Sequence, residues 1–423
     1  MALSRNRSFL GFLGAQFLGA FNDNLYKQIV LLLAAGTLFP GEDKQGLAFA
    51  IFALPFVIFG GLAGEVSERF SKSRIMVFMK GAEIGILALG MLALSLMSWP
   101  AMLAVLALMG VHSTFFGPCK YGGLPEMLPP KDLLSANSIV AMTTFLSVLL
   151  GGALPGPLMD ALSGRLWLVG LPCVVFAAMG LASATLIAPL PAQRPTLKLT
   201  LNPFAGLGDT LRTLTARPAL FAVVIGMSLF WFNGGVLNQA TNGMAGADWL
   251  AIPDGEKTLI SRLLMIQSLA IVVGSLLAAP LARRFRPARV VLVGAVGMVT
   301  GQVALLAVGP VLTPATGAYP FTAACLVITG VFGAIFFVPV NAWLQSAIEA
   351  GGRGRAFAAN NFLNFVFIFG SGVWYIVLRQ LLGLSPTLCT ALAGVVMLGY
   401  LFLRRHHLNE IAFDTPATPE TLK

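Results

Sequence analysis

Long apolar stretches separated by short polar connections run along almost the whole chain. Windows of about 19 residues, the length of helix that crosses a bilayer, pick out a series of spanning segments. Twelve segments result, with approximate bounds 8–39, 46–67, 75–97, 100–119, 136–161, 166–189, 218–243, 259–282, 288–312, 318–345, 357–381 and 384–403. The pattern therefore predicts an all-α polytopic membrane protein with twelve transmembrane helices.

Composition supports this class and excludes a soluble domain of the same size. Of the 423 residues, 57% are hydrophobic and only 10% are charged, whereas soluble domains carry about 25% charged residues. The 4 cysteines fall in or beside apolar segments without metal-like spacing, so we expect no disulfide framework, metal or cofactor. The first apolar run is too long for a signal peptide, and we expect it to be a retained helix.

Positive charge is distributed unevenly between the two sides of the predicted helices. With the N-terminus inside, most of the 27 lysine and arginine residues fall in connections on the inner side. The positive-inside rule assigns that side to the cytoplasm, so we expect both termini there. This placement also accounts for the net charge of +10 without a nucleic-acid partner.

The chain divides into two six-helix halves that repeat in the same orientation. Phe21-Asn22-Asp23 in segment 1 matches Phe232-Asn233-Gly234 in segment 7, and Ser135-Ala136-Asn137 matches Ala358-Ala359-Asn360. Parallel repeats are related by an axis along the membrane normal, with the solute site near the midplane between them. The predicted domains are an N-terminal half (1–189), a cytoplasmic linker (190–217), a C-terminal half (218–405) and a disordered cytoplasmic tail (406–423).

The first segment carries ionisable residues in its middle. Asp23 and Lys27 lie four residues apart on one helical face, and Gln16 extends the same polar stripe. A charge at the bilayer centre costs roughly 2.5 to 3.5 kcal/mol on insertion scales, so both ions need partners or a wet cavity. Either they neutralise each other and stabilise the fold, or they line a solute pathway.

The connection between segments 2 and 3, Gly64 to Arg74, resembles the loop signature of the major facilitator superfamily. A glycine is followed four residues later by an acid, Glu68, and then by bases. We expect Gly64 to permit close helix approach and Glu68 to form a latch with Arg69 and Arg74. The alternative is a basic loop that only sets topology.

Two further acid and base positions lie deeper in the membrane. Lys80 and Glu83 in segment 3 are either a snorkelling base with a local partner or part of an inner gate. His112 in segment 4 is a core histidine or a proton-coupling group. The predicted gating residues are Gly64, Glu68, Arg69, Lys72, Arg74, Lys80, Glu83 and Glu126.

Two motifs narrow the resemblance. Phe21-Asn22-Asp23-Asn24-Leu25-Tyr26-Lys27 in segment 1 and Gly117-Pro118-Cys119-Lys120-Tyr121-Gly122-Gly123-Leu124-Pro125-Glu126 after segment 4 resemble the lysophospholipid transporter family of the major facilitator superfamily. The likeness is greatest to the transporter portion of bacterial fusions with acyltransferase and acyl-carrier-protein ligase domains. It spans segments 1 to 5, and more loosely the region of Pro339, Asn341 and Asn360.

The resemblance implies a non-enzymatic transporter of the bacterial inner membrane. Its expected substrates are lysophosphatidylethanolamine and lysophosphatidylglycerol, flipped from the outer to the inner leaflet for re-acylation. A separate acyltransferase or acyl-carrier-protein ligase is the partner it implies, and we expect a monomer surrounded by membrane lipid.

One departure from the family concerns Asn238, which stands where we expect a base on segment 7. The phosphate must then find Lys27 or Lys120, while Asp23 can bind an ammonium. Neutral amides of the second half supply hydrogen bonds, and some of the 31 phenylalanines could line a slot for the acyl chain. The predicted substrate-binding residues are Gln16, Asn22, Asp23, Lys27, Lys120, Asn137, Asn233, Asn238, Asn341 and Asn360.

Two other functions compete with lysophospholipid transport. The first is a proton-coupled exporter of drugs or small metabolites on the same fold, with Asp23 as the proton carrier, because one fold hosts many activities. The second is an integral membrane acyltransferase. The sequence argues against an enzyme, because none of the 3 histidines has an acid five residues later.

Overall fold

The computed structural model describes residues 3–200, 208, 215–347 and 353–408, and these ranges are mainly helical. The predicted tail beyond 408 and most of the linker between 201 and 214 lie outside the described residues. The long helices are α1 (Arg7–Leu32), α2 (Gln45–Arg69), α3 (Lys72–Ser95), α4 (Trp99–Met127), α5 (Pro130–Ala153), α6 (Leu171–Ala184), α7 (Pro218–Gly243), α8 (Thr258–Arg284), α9 (Pro287–Ala304), α10 (Ala318–Ala347), α11 (Arg353–Tyr375) and α12 (Pro386–Leu403).

In the described ranges, 11 helices are long and apolar enough to cross a membrane. Helix α1 is 26 residues long but is not among the 11, because its charged and amide side chains lower its hydropathy. With α1 the count agrees with the predicted twelve. The prediction of an all-α polytopic membrane protein is confirmed.

Successive helices alternate in direction, so the bundle has two ends. We call the end where α1 begins and α2 finishes at Arg69 the basic face. The end where α1 finishes and α2 begins at Gln45 is the opposite face.

The two halves pack their helices in the same way. Helix α1 lies against α6, where a Cβ atom at Gly11 would come within 2.6 Å of the Ser183 carbonyl oxygen. Asn22 Nδ2 of α1 donates to the Cys173 carbonyl of α6 at 3.1 Å. Its repeat counterpart Asn233, on α7, lies 3.5 Å from Met397 Sδ of α12. These matching contacts agree with the predicted repeat.

Helices α2 and α11 hold the halves together at close range. A Cβ atom on Gly372 of α11 would lie 2.7 Å from both the Gly46 carbonyl oxygen and the Ala50 nitrogen of α2. Because backbone atoms cannot move aside as a flexible side chain can, only glycine fits this position. The approach lies near the opposite face, within the first two turns of α2.

A buried group of polar side chains joins the halves at the opposite face. Tyr375 OH donates to Asp43 Oδ2 at 2.8 Å, and Gln45 Nε2 donates to Asp43 Oδ1 at 3.0 Å. Asn242 Nδ2 donates to Gln45 Oε1 at 2.8 Å, and Gln28 Nε2 donates to Asn242 Oδ1 at 2.8 Å. We call Gln28, Asp43, Gln45, Asn242 and Tyr375 the opposite-face cluster. It connects α1 and α2 to α7 and α11.

A second connection caps the beginning of α8. The Asp160 carboxylate accepts hydrogen bonds from the backbone nitrogens of Lys257 at 2.8 Å and Thr258 at 2.7 Å. An acid placed at a helix N-terminus satisfies unpaired N–H groups there and opposes the helix dipole. Asp160 follows α5, so this cap also joins the two halves. The hydrogen bonds of Asp160 and of the opposite-face cluster lie at the same end of the bundle, and together they close that end.

Two glycines of α11 offer a matched test of the close approach. We expect Gly372→Ala to lower the thermal unfolding temperature and to separate the opposite-face ends of α2 and α11. The added methyl group meets backbone atoms at 2.7 Å. At Gly370 the nearest atom would be 3.9 Å away. Gly370→Ala should therefore leave that temperature unchanged or raised, since alanine favours a helix over glycine by about 1 kcal/mol. Equal unfolding temperatures in the two variants would contradict the packing described here.

The opposite-face cluster should open as the pH rises. Burial raises the pKa of the Asp43 carboxyl above its ordinary value of 3.8, although hydrogen bonds from Gln45 and Tyr375 oppose that effect. The closed face buries the neutral Asp43 carboxyl, so this group stabilises the closed state fully at a pH below its ordinary pKa. That stabilisation is lost as the pH rises past the raised pKa. Spin-label distances across the opposite face, measured against pH, would follow this change.

Asp43→Asn should keep the face closed and remove the pH dependence, because an amide cannot ionise. The matched control is Asp248→Asn, at an exposed carboxyl beyond α7. A distance profile for Asp43→Asn that still follows pH would show that another group controls the opening.

Candidate functional site

Asp23 and Lys27 lie near the middle of α1 and do not pair with each other. Ser113 Oγ of α4 donates to Asp23 Oδ2 at 2.5 Å. Lys27 Nζ donates to Asn24 Oδ1 at 3.1 Å and lies 4.9 Å from the centre of the Phe52 ring. In the described part of the chain no ion pair joins the two. The pairing that the sequence spacing permits is not formed, because each side chain points to a different neighbour.

Asp23 and Lys27 lie deep along the helix and are exposed enough for a ligand to reach them. Asp23 is sixteen residues from the start of α1, about 24 Å along the axis at 1.5 Å per residue. Both side chains are only partly buried, so they line a space instead of filling the core. An unpaired charge at this depth is costly, and its usual context is a water-filled cavity or a transport route.

A second group of polar residues is fully buried behind Asp23. Lys80 Nζ lies 2.5 Å from Glu83 Oε2, with the two side chains 0% and 3% exposed. Asn22 Nδ2 donates to Glu83 Oε1 at 2.8 Å, and His112 Nε2 lies 3.5 Å from Glu83 Oε2. We call Asn22, Lys80, Glu83 and His112 the buried network. It connects α1, α3 and α4 inside the first half.

Lys80 has the local partner that the sequence suggested, Glu83, but its buried side chain does not snorkel toward the membrane surface. Its ammonium passes beside Gly19 of α1 and lies 3.5 Å from where a Cβ atom at Gly180 of α6 would be. It also lies 5.3 Å from the centre of the Phe116 ring. Small residues on two neighbouring helices make room for the side chain, and its charge is compensated locally by Glu83.

Lys120 forms a third site nearer the basic face. Lys120 Nζ donates to Thr144 Oγ1 at 2.8 Å, and Thr144 Oγ1 donates to Gln16 Oε1 at 3.1 Å. Gln16 Nε2 donates to Thr143 Oγ1 at 2.7 Å. Within the described ranges no acid pairs with Lys120, although it is only 9% exposed. A buried ammonium with only neutral partners is suited to bind an anion.

The second half contributes neutral amides. Asn238 Oδ1 and Asn360 Oδ1 are buried oxygens without a hydrogen-bond partner among the described residues, so both can accept from a ligand. Asn341 is partly buried. Asn233 points elsewhere: its Nδ2 donates to the Leu229 carbonyl of its own helix and approaches α12. These contacts do not bring Asn233 to Asp23 or Lys27, and its role in substrate binding stays a prediction.

Asn137 also lies apart from the polar groups on α1 and α4. It is exposed near the start of α5, and its Nδ2 donates to the Leu133 carbonyl one turn earlier at 2.8 Å. Among the predicted binding residues, those that share direct contacts with α1 or its polar neighbours are Gln16, Asn22, Asp23, Lys27 and Lys120.

The predicted latch has a different composition. Glu68 Oε2 lies 3.2 Å from Arg194 Nε in the linker, and the Arg194 nitrogen donates to the Glu68 carbonyl at 2.8 Å. Arg69 lies over the ring of Phe70, at 5.4 Å. A Cβ atom at Gly64 would meet no atom within 4 Å, so no helix approaches closely there in this conformation.

Two other predicted gating residues, Lys72 and Glu126, pair with each other, which the loop pattern does not reveal. Lys72 Nζ lies 2.5 Å from Glu126 Oε1, with both side chains largely buried, and this pair joins α3 to α4. Arg74 is exposed and lines an apolar groove together with Phe70 and Phe78. These contacts fix the connection between α2 and α3 to the first half and its linker.

Several residues of the site were missed by the sequence reasoning. Ser113, Thr143 and Thr144 supply the hydroxyl groups that contact Asp23, Gln16 and Lys120. Hydroxyl side chains in helices commonly bond to their own backbone, so their presence carries no signal of its own. Only their position opposite α1 in the folded bundle identifies them.

The comparisons with known proteins agree with this architecture. A family model described as Major Facilitator Superfamily matches residues 12–372. The lysophospholipid transporter LplT of Klebsiella pneumoniae is 28% identical over 363 residues, which cover 84% of this chain and 85% of that protein. The LplT of Shigella boydii is 29% identical over 355 residues, covering 82% of each protein.

The fold is also found among solved structures. A transporter of the POT family, solved in complex with 5-aminolevulinic acid, superposes with a TM-score of 0.71 at 12% identity and covers 98% of each chain. That likeness concerns the fold alone, whereas the family model spans most of the sequence. The chain therefore belongs to the major facilitator superfamily.

Proposed function

We propose that this protein transports lysophospholipids, the activity for which its LplT relatives are named. The observation that carries the proposal is a carboxylate and an ammonium, Asp23 and Lys27, that remain unpaired and accessible at mid-membrane depth. A zwitterionic headgroup would compensate both charges at once. Four residues along a helix separate them by about 6 Å of rise, close enough for one headgroup to reach both.

Each ion has a distinct role in this proposal. Lys27 binds the phosphate as a point charge, and Asp23 binds the ammonium of an ethanolamine headgroup. The unpaired amide oxygens of Asn238 and Asn360 accept hydrogen bonds from the ammonium or from headgroup hydroxyls. These amides also suit lysophosphatidylglycerol, whose headgroup has hydroxyls and no ammonium.

The route proposed for the headgroup runs along α1 toward the basic face. Gln16, which belongs to the Lys120 site, is seven residues before Asp23, about 10 Å along the helix axis. The closed opposite face leaves the basic face as the exit in this conformation. We place that face on the cytoplasmic side of the bacterial inner membrane, with both termini in the cytoplasm. Transport then runs from the outer to the inner leaflet.

The acyl chain needs an apolar space beside the headgroup site. Phe56 of α2 stacks on Phe365 of α11, with ring centres 3.7 Å apart and planes within 4°. Phe145 of α5 meets Phe337 of α10 edge to face, at 6.5 Å. Both contacts lie between the halves, and we propose that the acyl chain passes between these aromatic pairs.

The delivered lipid would be re-acylated at the inner leaflet. We propose that a separate acyltransferase or acyl-carrier-protein ligase carries out that step, and that the transporter acts as a monomer. The domain division remains that of the sequence pattern, with the halves at 1–189 and 218–405.

The first experiment is uptake of labelled lysophosphatidylethanolamine by bacterial spheroplasts that lack their own transporter. We expect uptake to require this protein, and Asp23→Asn and Lys27→Ala each to reduce it to background, since each removes one of the two compensating charges. Membrane insertion, measured by immunoblotting of the membrane fraction, should be unchanged. Asp248→Asn and Lys131→Ala, at exposed positions, are the matched controls.

Normal uptake in either site variant would overturn the headgroup site. Failure of the well-expressed protein to take up lysophospholipid would favour a proton-coupled exporter with Asp23 as the titrating group. That outcome is tested by alkalinisation of the spheroplast medium when a candidate drug or metabolite is added, because protons enter as the compound is exported.

Lys120 tests the exit end of the route. Lys120→Met should slow uptake by about tenfold, because loss of one compensating charge for a phosphate in a low-dielectric site costs roughly 1.4 kcal/mol or more. Lys120→Arg keeps the charge and should retain most of the uptake. If both variants lose activity equally, packing around Lys120 matters more than its charge.

A further inference from the structure

A series of hydrogen-bonding groups connects the buried network to Asp23. His112 Nε2 lies 3.5 Å from Glu83 Oε2 and has no hydrogen-bond partner among the described residues. The other ring nitrogen, Nδ1, lies 3.3 Å from Ser113 Oγ, which in turn lies 2.5 Å from Asp23 Oδ2. This series runs from Glu83 through His112 and Ser113 to the Asp23 carboxylate.

The direction of these hydrogen bonds depends on where one proton resides. An ionised carboxylate only accepts, so the Ser113 hydroxyl must donate to Asp23, and Ser113 Oγ must accept from His112 Nδ1–H. If Asp23 is protonated, all donors reverse: Asp23 donates to Ser113, and Ser113 donates to His112 Nδ1. The same three side chains therefore support two proton positions without moving.

A bound headgroup changes how the negative charge of Asp23 is compensated. Lys80 is already paired with Glu83 at 2.5 Å, and Lys27 contacts Asn24 and aromatic rings instead of Asp23. An ionised Asp23 in an empty site would thus have no opposite charge beside it, which is unfavourable at this depth. A bound ammonium would supply that charge, and a proton can replace it when the ammonium leaves.

We propose that His112 and Ser113 form an internal proton relay that neutralises Asp23 whenever no ammonium headgroup is bound. The inference rests on the proposed function. With the headgroup bound, the proton is on His112, whose imidazolium faces Glu83, and Asp23 is ionised. When the headgroup leaves, the Nδ1–H bond breaks and its proton moves to Ser113 Oγ. The Ser113 hydroxyl proton moves to Asp23 Oδ2 in the same step.

This proton transfer balances without a proton donor or acceptor from outside the protein. One N–H bond and one O–H bond break, one O–H bond forms on Ser113 and one on Asp23, and His112 becomes neutral. The charged and titratable groups around the relay are Lys27 from α1, Lys80 and Glu83 from α3, and His112 from α4. Their summed charge is the same before and after the transfer, because the proton stays inside the protein.

The relay makes a prediction about headgroups. Lysophosphatidylethanolamine brings an ammonium and requires Asp23 to ionise and re-protonate in each cycle. Lysophosphatidylglycerol brings none, so Asp23 can keep its proton throughout. A defect in the relay should therefore slow the first lipid more than the second.

The test compares Ser113→Ala with Ser113→Thr in proteoliposomes containing the full chain. Ser113→Ala removes the hydroxyl, and the ratio of ethanolamine to glycerol lysolipid transport should fall by about tenfold, the effect of an uncompensated charge at this depth. Ser113→Thr keeps a hydroxyl and should restore the ratio. His112→Gln should lower it as Ser113→Ala does, because an amide cannot carry the proton. Equal losses for both lipids would overturn the relay and indicate a structural role.

A second measurement does not depend on transport. The infrared absorption of a protonated carboxyl should be present in the ligand-free protein and absent in Asp23→Asn. It should disappear when lysophosphatidylethanolamine is added, persist with lysophosphatidylglycerol, and stop responding in His112→Gln. An ionised Asp23 in the ligand-free protein would overturn the relay even if transport is normal. If the wild type transports neither lipid, the proposed function fails, and the infrared result still decides whether Asp23 holds a proton.

Discussion

The cost of an uncompensated charge in a medium of low dielectric constant governs this structure. Most ions inside the bundle meet that cost with a partner: Lys80 with Glu83, and Lys72 with Glu126. Asp23 and Lys27 do not, and they lie on one face of one helix at mid-depth. The fold can tolerate this arrangement only where water or cargo reaches the ions. The ions with partners thus belong to the scaffold, and the ions without them mark the candidate site.

The sequence was sufficient for the fold, and it drew attention to the residues around which the candidate site is proposed. Apolar stretches long enough to cross a bilayer predicted the helices, and the polar residues in the middle of α1 drew attention to Asp23 and Lys27. The ion-pair partner of each charged side chain was harder to predict from the sequence. Glu68 was expected to meet Arg69 and Arg74 but pairs with Arg194. Several long side chains of opposite charge were within reach along the chain, and tertiary packing selected among them.

Contacts between the halves were beyond sequence reasoning for a different reason. Asp43 and Tyr375 are separated by 332 positions. Asp43 is one of several polar residues in the loop before α2, and Tyr375 is the last residue of α11, so neither is conspicuous in the sequence. Asn233 shows the limit of the repeat as a guide. Its counterpart Asn22 donates to Glu83 of α3, whereas Asn233 meets Met397, because α9, the helix that corresponds to α3, contains no acid.

The chemistry of the opposite-face cluster also determines how it responds to its surroundings. Its contacts are made by amides, one phenol and one carboxylate, and Arg379, the nearest opposite charge to Asp43, is 4.0 Å away. Dissolved ions screen attraction between exposed charges but have little effect on buried hydrogen bonds between largely neutral groups. The closed face should therefore be about as stable in dilute media as in saline ones. The barrier to leakage at this face would therefore stay the same when the ionic strength around the membrane changes.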